Sequence, residues 1–335
     1  MTDVEHVPKE WLSPTRAWRM IRCPASVRPL VGGATRPTEL ADTSDVNAGS
    51  LAHRALERWI RSGGYHDTDP VGALKHAVST CVAELRGDLP SGWTLARARL
   101  IARGPAVVEL IGTRAPEQIV SEAELWEPHL RLRGKPDLIL LGEEVVLLDL
   151  KTQTFLGDDL PESIRFQLAV YAHLVEHTFG SRPARTEVFS LSRGRVPVPI
   201  TDAEIDAALT AVETARQLDR EIAHPSLEVC RYCDRRCECE PHWHAAAEWP
   251  DADCLEGIAE RIEVATNGVA AVRVLTEQGP TWVSKIPADL LTGQPGEAIR
   301  LMRIRPIKTG DNEAPTGWRF GPAGALQTTS ASSRH

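Results

Sequence analysis

Two carboxylates and a lysine lie at the ends of apolar runs in the middle of the chain. Residues 133–140 contain Asp137, and the apolar run 145–150 contains Asp149, with Lys151 directly after it. Residues two apart on a strand share a face, and a hairpin between the runs brings Asp137 to the same end of the sheet. Charges there are costly unless they are paired or bind a metal. The pattern indicates metal-dependent phosphodiester hydrolysis with Mg²⁺ or Mn²⁺, and its alternative is a surface hairpin with an ordinary ion pair.

Polar residues on two predicted helices are further candidates for this site. In the amphipathic helix predicted over residues 47–64, His53 lies just beyond the edge of the apolar arc. In the helix predicted over residues 161–178, Gln167 and Tyr171 are four residues apart and therefore share a face. Each observation also fits an ordinary residue at the border of a helix surface.

The cysteines are clustered rather than spread through the chain. Four of the seven fall within ten residues, at Cys230, Cys233, Cys237 and Cys239. The N-terminal sequence lacks the basic start and apolar run of a secretory signal, so we expect a cytoplasmic protein with reduced thiols. The cluster then indicates a metal site. A zinc site would use these four residues, with His242 or His244 as an exchange for one of them.

The order of predicted elements indicates an α/β fold followed by a small β domain. The first helices are followed by consecutive strand-like runs at 119–126, 129–133, 137–141 and 145–150, which we expect to pair antiparallel, and then by the crossover helix over 161–178 and a strand-like run at 187–191. A capping-box sequence at Thr201 begins a helix predicted to reach about residue 222. After residue 249, five β-like segments with a helical turn behind the third predict an OB-like or SH3-like barrel. We expect domains over residues 1–248 and 249–326, and a disordered tail over 327–335.

Composition limits the partners that the chain can have. The 38 Lys and Arg residues against 46 Asp and Glu residues give a net charge of −8, so any nucleic-acid surface must be local. No run resembles a membrane span, and no phosphate-binding loop of a motor protein is present, so long DNA would require a separate helicase or defence-system subunit. Candidate nucleic-acid contacts are Arg19, Arg22, Arg97, Arg303, Arg305 and Trp282.

Four motifs in chain order resemble the RecB-like branch of the PD-(D/E)xK nuclease superfamily over about residues 15–245. They are Gly-x-x-x-His, Gly-x-x-Asp, Asp-x-Lys and Gln-x-x-x-Tyr. The resemblance implies a restriction-endonuclease-like core, a mixed sheet flanked by helices. It implies a divalent-metal site formed by His53, Asp137, Asp149 and the Leu150 carbonyl. It also implies that Lys151 is the catalytic lysine and that Gln167 and Tyr171 contact DNA or support that lysine.

The cysteine spacing resembles the iron–sulfur subgroup of these nucleases, which includes the AddB, exonuclease V and CRISPR-adaptation types. In that subgroup one distant cysteine and three C-terminal cysteines hold a 4Fe-4S cluster, which corresponds here to Cys23, Cys230, Cys233 and Cys239. Cys237 is a fifth candidate, so the choice between Cys237 and Cys239 stays open from the sequence.

Together these features predict a metal-dependent deoxyribonuclease with a structural 4Fe-4S cluster. We expect it to act on single-stranded DNA or DNA ends, as an exonuclease rather than an endonuclease, in repair, recombination or antiviral defence. The alternative is a non-catalytic DNA-binding or assembly subunit with a zinc or iron–sulfur site. Cleavage of DNA in the presence of Mg²⁺ or Mn²⁺ distinguishes the two.

Overall fold

The computed structural model of the chain describes residues 11–28, 47–85, 89–152, 160–231, 233, 235–249, 252–307 and 316–329. They form two compact units, each built from segments that are distant in sequence. The described residues of the first unit are 11–21 and 47–218, and those of the second are 22–28 and 219–329. The domain boundary at residue 248 stays a prediction, because compactness alone does not define the functional division of a chain.

The first unit is a mixed sheet with helices around it. Its helices are α1 (Pro14–Arg22), α2 (Ala48–Arg61), α3 (Pro70–Ala83), α4 (Trp93–Ile111), α5 (Glu162–Phe179) and α6 (Asp202–Gln217). Its strands are β1 (Ile119–Ser121), β2 (Leu125–Glu127), β3 (Leu132–Gly134), β4 (Leu138–Leu140), β5 (Val146–Lys151), β6 (Arg185–Ser190) and β7 (Gly194–Pro197). The main sheet has the order β1-β4-β5-β6-β7, and β2 pairs with β3 in a separate two-stranded sheet.

The apolar sequence of β5 explains why this strand lies at the centre of the main sheet. Its five residues before Lys151 are all buried, as expected for a strand covered on both faces. It pairs antiparallel with β4 and parallel with β6, and α5 makes the crossover between the two parallel strands. Alternate side chains of β4 and β5, including Leu138 and Leu148, join the apolar core formed with α2, α3 and α4.

Several predicted elements of the first unit need correction. The strand predicted over residues 119–126 divides at Glu122, whose φ of +53° leaves the extended region. The capping box at Thr201 is present, but α6 ends at Gln217 because Leu218 adopts an extended ψ of 148°. Helix α4 was not predicted from the sequence. It contains Pro105 in its interior, where proline normally indicates a helix end.

The second unit contains the cysteine segment and a closed barrel. Its elements are the helices α7 (Leu227–Arg231) and α8 (Glu240–Ala246) and the strands β8 (Cys254–Val264), β9 (Val269–Thr276), β10 (Gly279–Pro287), β11 (Ala298–Ile307) and β12 (Gly317–Thr329). The barrel order is β10-β12-β11-β8-β9, with a parallel pair between its third and fifth strands and a short 3₁₀ turn after the third. This topology favours the OB-like alternative and confirms the predicted C-terminal barrel.

The predicted disordered tail begins too early. Residues 327–329 belong to β12 and pair with residues 298–300 of β11, because the barrel closes through this long edge. Residues 330–335 lie outside the described residues. Within the described parts of the chain, no helix is long and apolar enough to cross a membrane.

Candidate active site

The register of two strands brings the predicted carboxylates together. Leu138 pairs with Leu148 across β4 and β5, which places Asp137, at the start of β4, opposite Asp149. Both side chains are buried. The backbone N–H of Leu150 donates a hydrogen bond to Asp137 Oδ2. The two acids therefore lie beside each other at one end of the sheet, where the predicted hairpin would bring them.

Helix α2 contributes His53 to the same end of the sheet. Its Nδ1 lies 2.6 Å from Asp137 Oδ1. The helix begins at Asn47, whose side chain accepts a hydrogen bond of 2.8 Å from the backbone N–H of Ser50. Gly49 allows the close approach of this helix start to the end of β5, because a Cβ there would lie 2.9 Å from Thr152 Oγ1. The glycine of the first motif thus fixes the depth at which His53 reaches the acids.

A chain of hydrogen bonds links the lysine to the helix α5 residues. Lys151 Nζ lies 2.6 Å from Asp149 Oδ2 and donates a 2.9 Å hydrogen bond to Gln167 Oε1. Gln167 Nε2 donates to Tyr171 Oη at 3.2 Å, and the Tyr171 hydroxyl donates to the carbonyl of Lys135 at 3.3 Å. The fourth motif therefore holds both the lysine and the loop that carries Asp137.

Glu122 also belongs to this site, although the sequence analysis did not identify it. Its Oε1 lies 3.8 Å from His53 Nδ1, and its Oε2 lies 2.9 Å from Lys135 Nζ. Ligand atoms of His53, Glu122 and Asp137 all lie within 4.8 Å of one another. The run 119–126 contains two acidic residues, Glu122 and Glu124, and the sequence alone does not indicate which of them reaches the site.

The donor set fits a hard divalent cation. Carboxylate oxygens and an imidazole nitrogen converge on a pocket of about 550 Å³ that opens to solvent. Asp149 Oδ2 is buried and lies 2.6 Å from the Lys151 ammonium, which supplies the counter-charge that a buried carboxylate needs. Leu150, whose carbonyl is a predicted ligand, also lines the pocket.

Electrostatics show how the acids are balanced without a cation. Burial acts to lower the pKa of His53, but Asp137 and Glu122 outweigh it and raise that pKa to about 10. Burial raises the pKa of Asp137 to about 6, against the lowering effect of His53. Burial also acts to raise the pKa of Glu122, yet contacts with His53 and Lys135 lower it. Without a bound cation, His53 and Lys135 therefore balance the negative charges of Asp137 and Glu122, and a bound cation would take over this role at His53.

The predicted cysteines lie in the second unit and divide into two groups. The backbone N–H of His224 donates to Cys23 Sγ at 3.3 Å, so the N-terminal segment lies against the segment that precedes α7. Burial, together with the neighbouring Cys233, Cys23 and Cys239, raises the pKa of Cys230 to about 12. Cys237 instead packs with other buried side chains, namely Trp243, Ala246, Cys254 and Met302.

The predicted nucleic-acid contacts lie outside the pocket lining. Arg19 is on α1, Arg97 is exposed on α4, and Arg22 lies 3.9 Å from Glu228. Trp282 is on β10 opposite Arg273, and Arg303 and Arg305 are on β11. Their part in binding stays a prediction.

Comparison with known families identifies the class of protein. The model of the PD-(D/E)XK nuclease superfamily matches residues 11–240. The chain therefore belongs to the PD-(D/E)XK nuclease superfamily, as the four motifs predicted. No curated protein sequence matches the chain significantly.

Solved structures show only distant similarity. A protein from Eubacterium rectale, provisionally described as an exonuclease, is 13% identical with a TM-score of 0.40, over 73% of this chain and 92% of that one. The structure of SSO0001 is 16% identical with a TM-score of 0.31, over 57% and 85%. A murine DNA-binding protein bound to double-stranded DNA is 11% identical with a TM-score of 0.21, over 64% and 95%. At these values the similarities support no residue assignment.

Proposed function

We propose that this protein is a Mg²⁺- or Mn²⁺-dependent deoxyribonuclease that degrades single-stranded DNA or DNA ends. The observation that carries the proposal is the convergence of His53, Asp137, Asp149 and Lys151 on one open pocket. Membership of a nuclease superfamily supports the same reaction. We further propose exonuclease rather than endonuclease action, in DNA repair, recombination or antiviral defence, with a separate helicase or defence-system subunit for long duplexes.

The residues of the pocket have different roles in the proposed hydrolysis. His53, Asp137, Asp149 and the Leu150 carbonyl would hold the cation, and Glu122 stands close enough to join them. When bound, the cation supplies Lewis-acid stabilisation of phosphate charge and lowers the pKa of a water ligand. Lys151 places a positive charge beside the acids, where it can orient an attacking water.

Gln167 and Tyr171 act as positioning residues in this proposal. Gln167 accepts from Lys151 and donates to Tyr171, which in turn holds the loop before Asp137. The lysine ammonium therefore has a fixed direction rather than the free rotation of an exposed lysine. Fixed charges cost little reorganisation during the reaction, which is how preorganised sites gain rate.

Cleavage of labelled DNA tests the proposal. We expect wild-type protein to shorten 5′- or 3′-end-labelled linear single-stranded DNA with Mn²⁺ or Mg²⁺, and to leave circular single strands intact if it is an exonuclease. Asp149→Ala should abolish the reaction, whereas Glu144→Gln, a change at an exposed acid in the turn before β5, should not. DNA binding by the wild type without any cleavage would contradict the proposal and favour a non-catalytic binding subunit.

We also propose that Cys23, Cys230, Cys233 and Cys239 hold a structural 4Fe-4S cluster. Two observations support this choice of ligands. Cys23 lies close enough to Cys230 and Cys239 to raise the pKa of both thiols, and the backbone N–H of His224 donates a hydrogen bond to the Cys23 sulfur. Amide hydrogen bonds to sulfur are typical of cluster ligands.

Cys237 is the less suitable fourth ligand. Cys237 packs in an apolar cluster, and burial there raises its pKa to about 11. The charged groups that act most strongly on it are arginines, which lower this pKa, rather than the other cysteines of the predicted cluster. The zinc alternative would use Cys230, Cys233, Cys237 and Cys239, and it would therefore require Cys237 to leave its apolar surroundings.

A further inference from the structure

An exposed tryptophan lies on the hairpin that leads into the candidate active site. Trp126, on β2, is 41% exposed. Among the described residues, the other large hydrophobic side chains with comparable exposure are aliphatic. It is paired in register with Arg133 of β3. A partly exposed aromatic ring offers a face on which an unpaired base can stack.

A cation and a second indole accompany this ring. The Arg133 guanidinium carbon lies 5.7 Å from the centre of the Trp126 ring, within cation–π distance. The Trp11 ring meets Trp126 edge to face, with centroids 4.8 Å apart. We call Trp11, Trp126 and Arg133 the hairpin platform.

The platform is held rigidly by the backbone beneath it. Leu12 and β3 exchange two hydrogen bonds: Leu12 N–H donates to the Arg131 carbonyl at 2.9 Å, and Arg133 N–H donates to the Leu12 carbonyl at 3.0 Å. The residues flanking Trp126 in β2 are buried, and one of them, Glu127, accepts two backbone hydrogen bonds of 2.8 Å from the following turn. The backbone that carries the exposed ring is thus held in place on both sides.

The platform is also close to the reacting groups. Arg133 and Asp137 are only four positions apart in the chain, so their Cα atoms are at most about 14 Å apart. That distance is at most about four nucleotides at the 3.4 Å spacing of stacked bases. Lys135, between them, lines the active-site pocket and adds a second cation along this path.

We propose that the hairpin platform binds a base of a single-stranded nucleic acid within about four nucleotides of the scissile phosphate. The base stacks on the Trp126 ring, and Arg133 contacts an adjoining phosphate. Stacking requires an unpaired base, so the platform would select single strands or frayed ends. This inference rests on the proposed nuclease function and defines its substrate more closely.

One acidic residue opposes this binding in the free protein. Glu124 Oε1 lies 3.7 Å from Arg133 Nη1, and both side chains are about half exposed. The arginine must leave this partner to reach a phosphate. Glu124→Gln should therefore strengthen binding of single strands, an effect that a merely structural hairpin would not produce.

Binding measurements without divalent metal test the platform apart from catalysis. Fluorescein-labelled single-stranded oligodeoxynucleotides are titrated in EDTA and followed by anisotropy. We expect Trp126→Ala to weaken binding by roughly fivefold or more, and Trp126→Phe, which keeps an aromatic face, to weaken it less. Leu95→Ala, at an exposed apolar residue of α4, is the matched control and should bind as the wild type does. Thermal melting checks that each variant is folded.

A scan of abasic sites identifies the stacked base. A single abasic residue is moved along the oligonucleotide from its end, and we expect one or two adjacent positions at which it weakens wild-type binding. At those positions Trp126→Ala should be insensitive to the missing base. If the wild type and Trp126→Ala gave identical abasic-site profiles, or if Trp126→Ala bound the oligonucleotide as tightly as the wild type, the hairpin platform would not be a base-binding site. A protein partner would then be the ligand that covers Trp126. Failure of wild-type cleavage with Mn²⁺ would instead overturn the nuclease proposal.

Discussion

Protons and divalent cations compete for the same atoms at His53. The imidazole lies 2.6 Å from Asp137 and carries a proton below its raised pKa of about 10. Metal binding through this nitrogen must release the proton, so every unit of pH below 10 costs up to tenfold in affinity. Below about pH 6, protonation of Asp137 adds a second competing proton.

The first prediction is that Mn²⁺ affinity rises with pH. Between pH 6.5 and 8.5 we expect the dissociation constant of Mn²⁺ to fall by up to tenfold per unit, because His53 is still protonated throughout this window. Titration calorimetry or the electron paramagnetic resonance signal of free Mn²⁺ measures it. His53→Ala should bind more weakly and with a flatter pH profile. An equal slope in both proteins would remove His53 from the set of ligands.

The second prediction separates chemistry from folding at the Asp-x-Lys motif. Asp149→Asn keeps the volume of the buried side chain but removes its charge, so we expect cleavage to fall by at least about 100-fold with the melting temperature within a few degrees of wild type. The single-turnover rate of cleavage and a thermal melt measure the two effects. Glu144→Gln is the matched acid-to-amide control at an exposed position. A rate within a few-fold of wild type for Asp149→Asn would exclude the assigned site.

Packing between a strand and a helix controls the loop before Asp137. Gly134 ends β3 against α5, and a Cβ at this residue would lie 2.7 Å from both Tyr171 Cε1 and Leu174 Cδ1. The glycine of the second motif is thus required by close packing on the tyrosine of the fourth. The two motifs form one structural unit although they are distant in sequence.

The third prediction is that Gly134→Ala impairs both stability and catalysis. The added methyl group must displace Tyr171, which breaks its hydrogen bond to the Lys135 carbonyl. Overpacking of this kind costs about 1–3 kcal/mol, and for a unit of this size we expect the melting temperature to fall by roughly 2–4 °C per kcal/mol. Gly63→Ala tests strain without crowding, because nothing lies near its Cβ position, and it should leave cleavage unchanged.

The sequence could predict the site wherever local spacing determines geometry. Asp149 and Lys151 share a strand, and Gln167 and Tyr171 share a helix face, so their proximity follows from residue periods of two and about 3.6. The meeting of Asp137 and Asp149 required only a hairpin. The fold class followed from the order of elements and the long apolar run of β5.

Other features depend on contacts that spacing does not encode. Glu122 joins the site because its backbone turns into the left-handed region after β1, and nothing in the neighbouring residues requires that turn. Helix α4 continues through Pro105 because its buried face packs on α3, an interaction between elements that overrides local propensity. The choice between Cys237 and Cys239 likewise depends on which of them faces Cys23.

At the scale of the whole molecule, the cysteines join segments about two hundred residues apart. Cys23 is linked by a hydrogen bond to His224, and Ala25 N–H donates to the carbonyl of Ile222 at 3.0 Å. A cluster held by Cys23 and Cys230 would close the chain between them and restrict the unfolded state. Nothing in hydrolysis requires electron transfer, so the role expected of the proposed cluster is to stabilise the fold.

The fourth prediction is a division of the cysteines by serine substitution. Protein purified without oxygen should be brown and contain about four irons and four sulfides per chain. Cys23→Ser, Cys230→Ser, Cys233→Ser and Cys239→Ser should each lose iron, whereas Cys237→Ser and the matched controls Cys81→Ser and Cys254→Ser should keep it. Stoichiometric zinc without sulfide, or loss of iron in Cys237→Ser with retention in Cys239→Ser, would contradict the ligand assignment.

The fifth prediction concerns what remains when the cluster is lost. Cys230→Ser should lower the melting temperature and the affinity for DNA together, while the molecules that stay folded keep metal-dependent cleavage. Differential scanning calorimetry, DNA binding and cleavage are compared on the same preparation. Cleavage that switches with the oxidation state of the cluster, at constant stability and DNA affinity, would instead indicate redox control.

The interleaved units impose an order on events at the ribosome. Residues 22–28 belong to the second unit, yet they are made before most of the first unit, whose last residue is 218. Assembly of the proposed cluster must therefore wait until Cys239 has been synthesised. Synthesis from residue 218 to Cys239 takes about one to four seconds at roughly 5–20 residues per second. During that interval the first unit has its full sequence, whereas the thiol of Cys23 has no cluster partners. Assembly of the proposed cluster would consequently be a late step in biogenesis, and a stalled chain that ends between residues 218 and 230 would carry the candidate pocket without the proposed cluster.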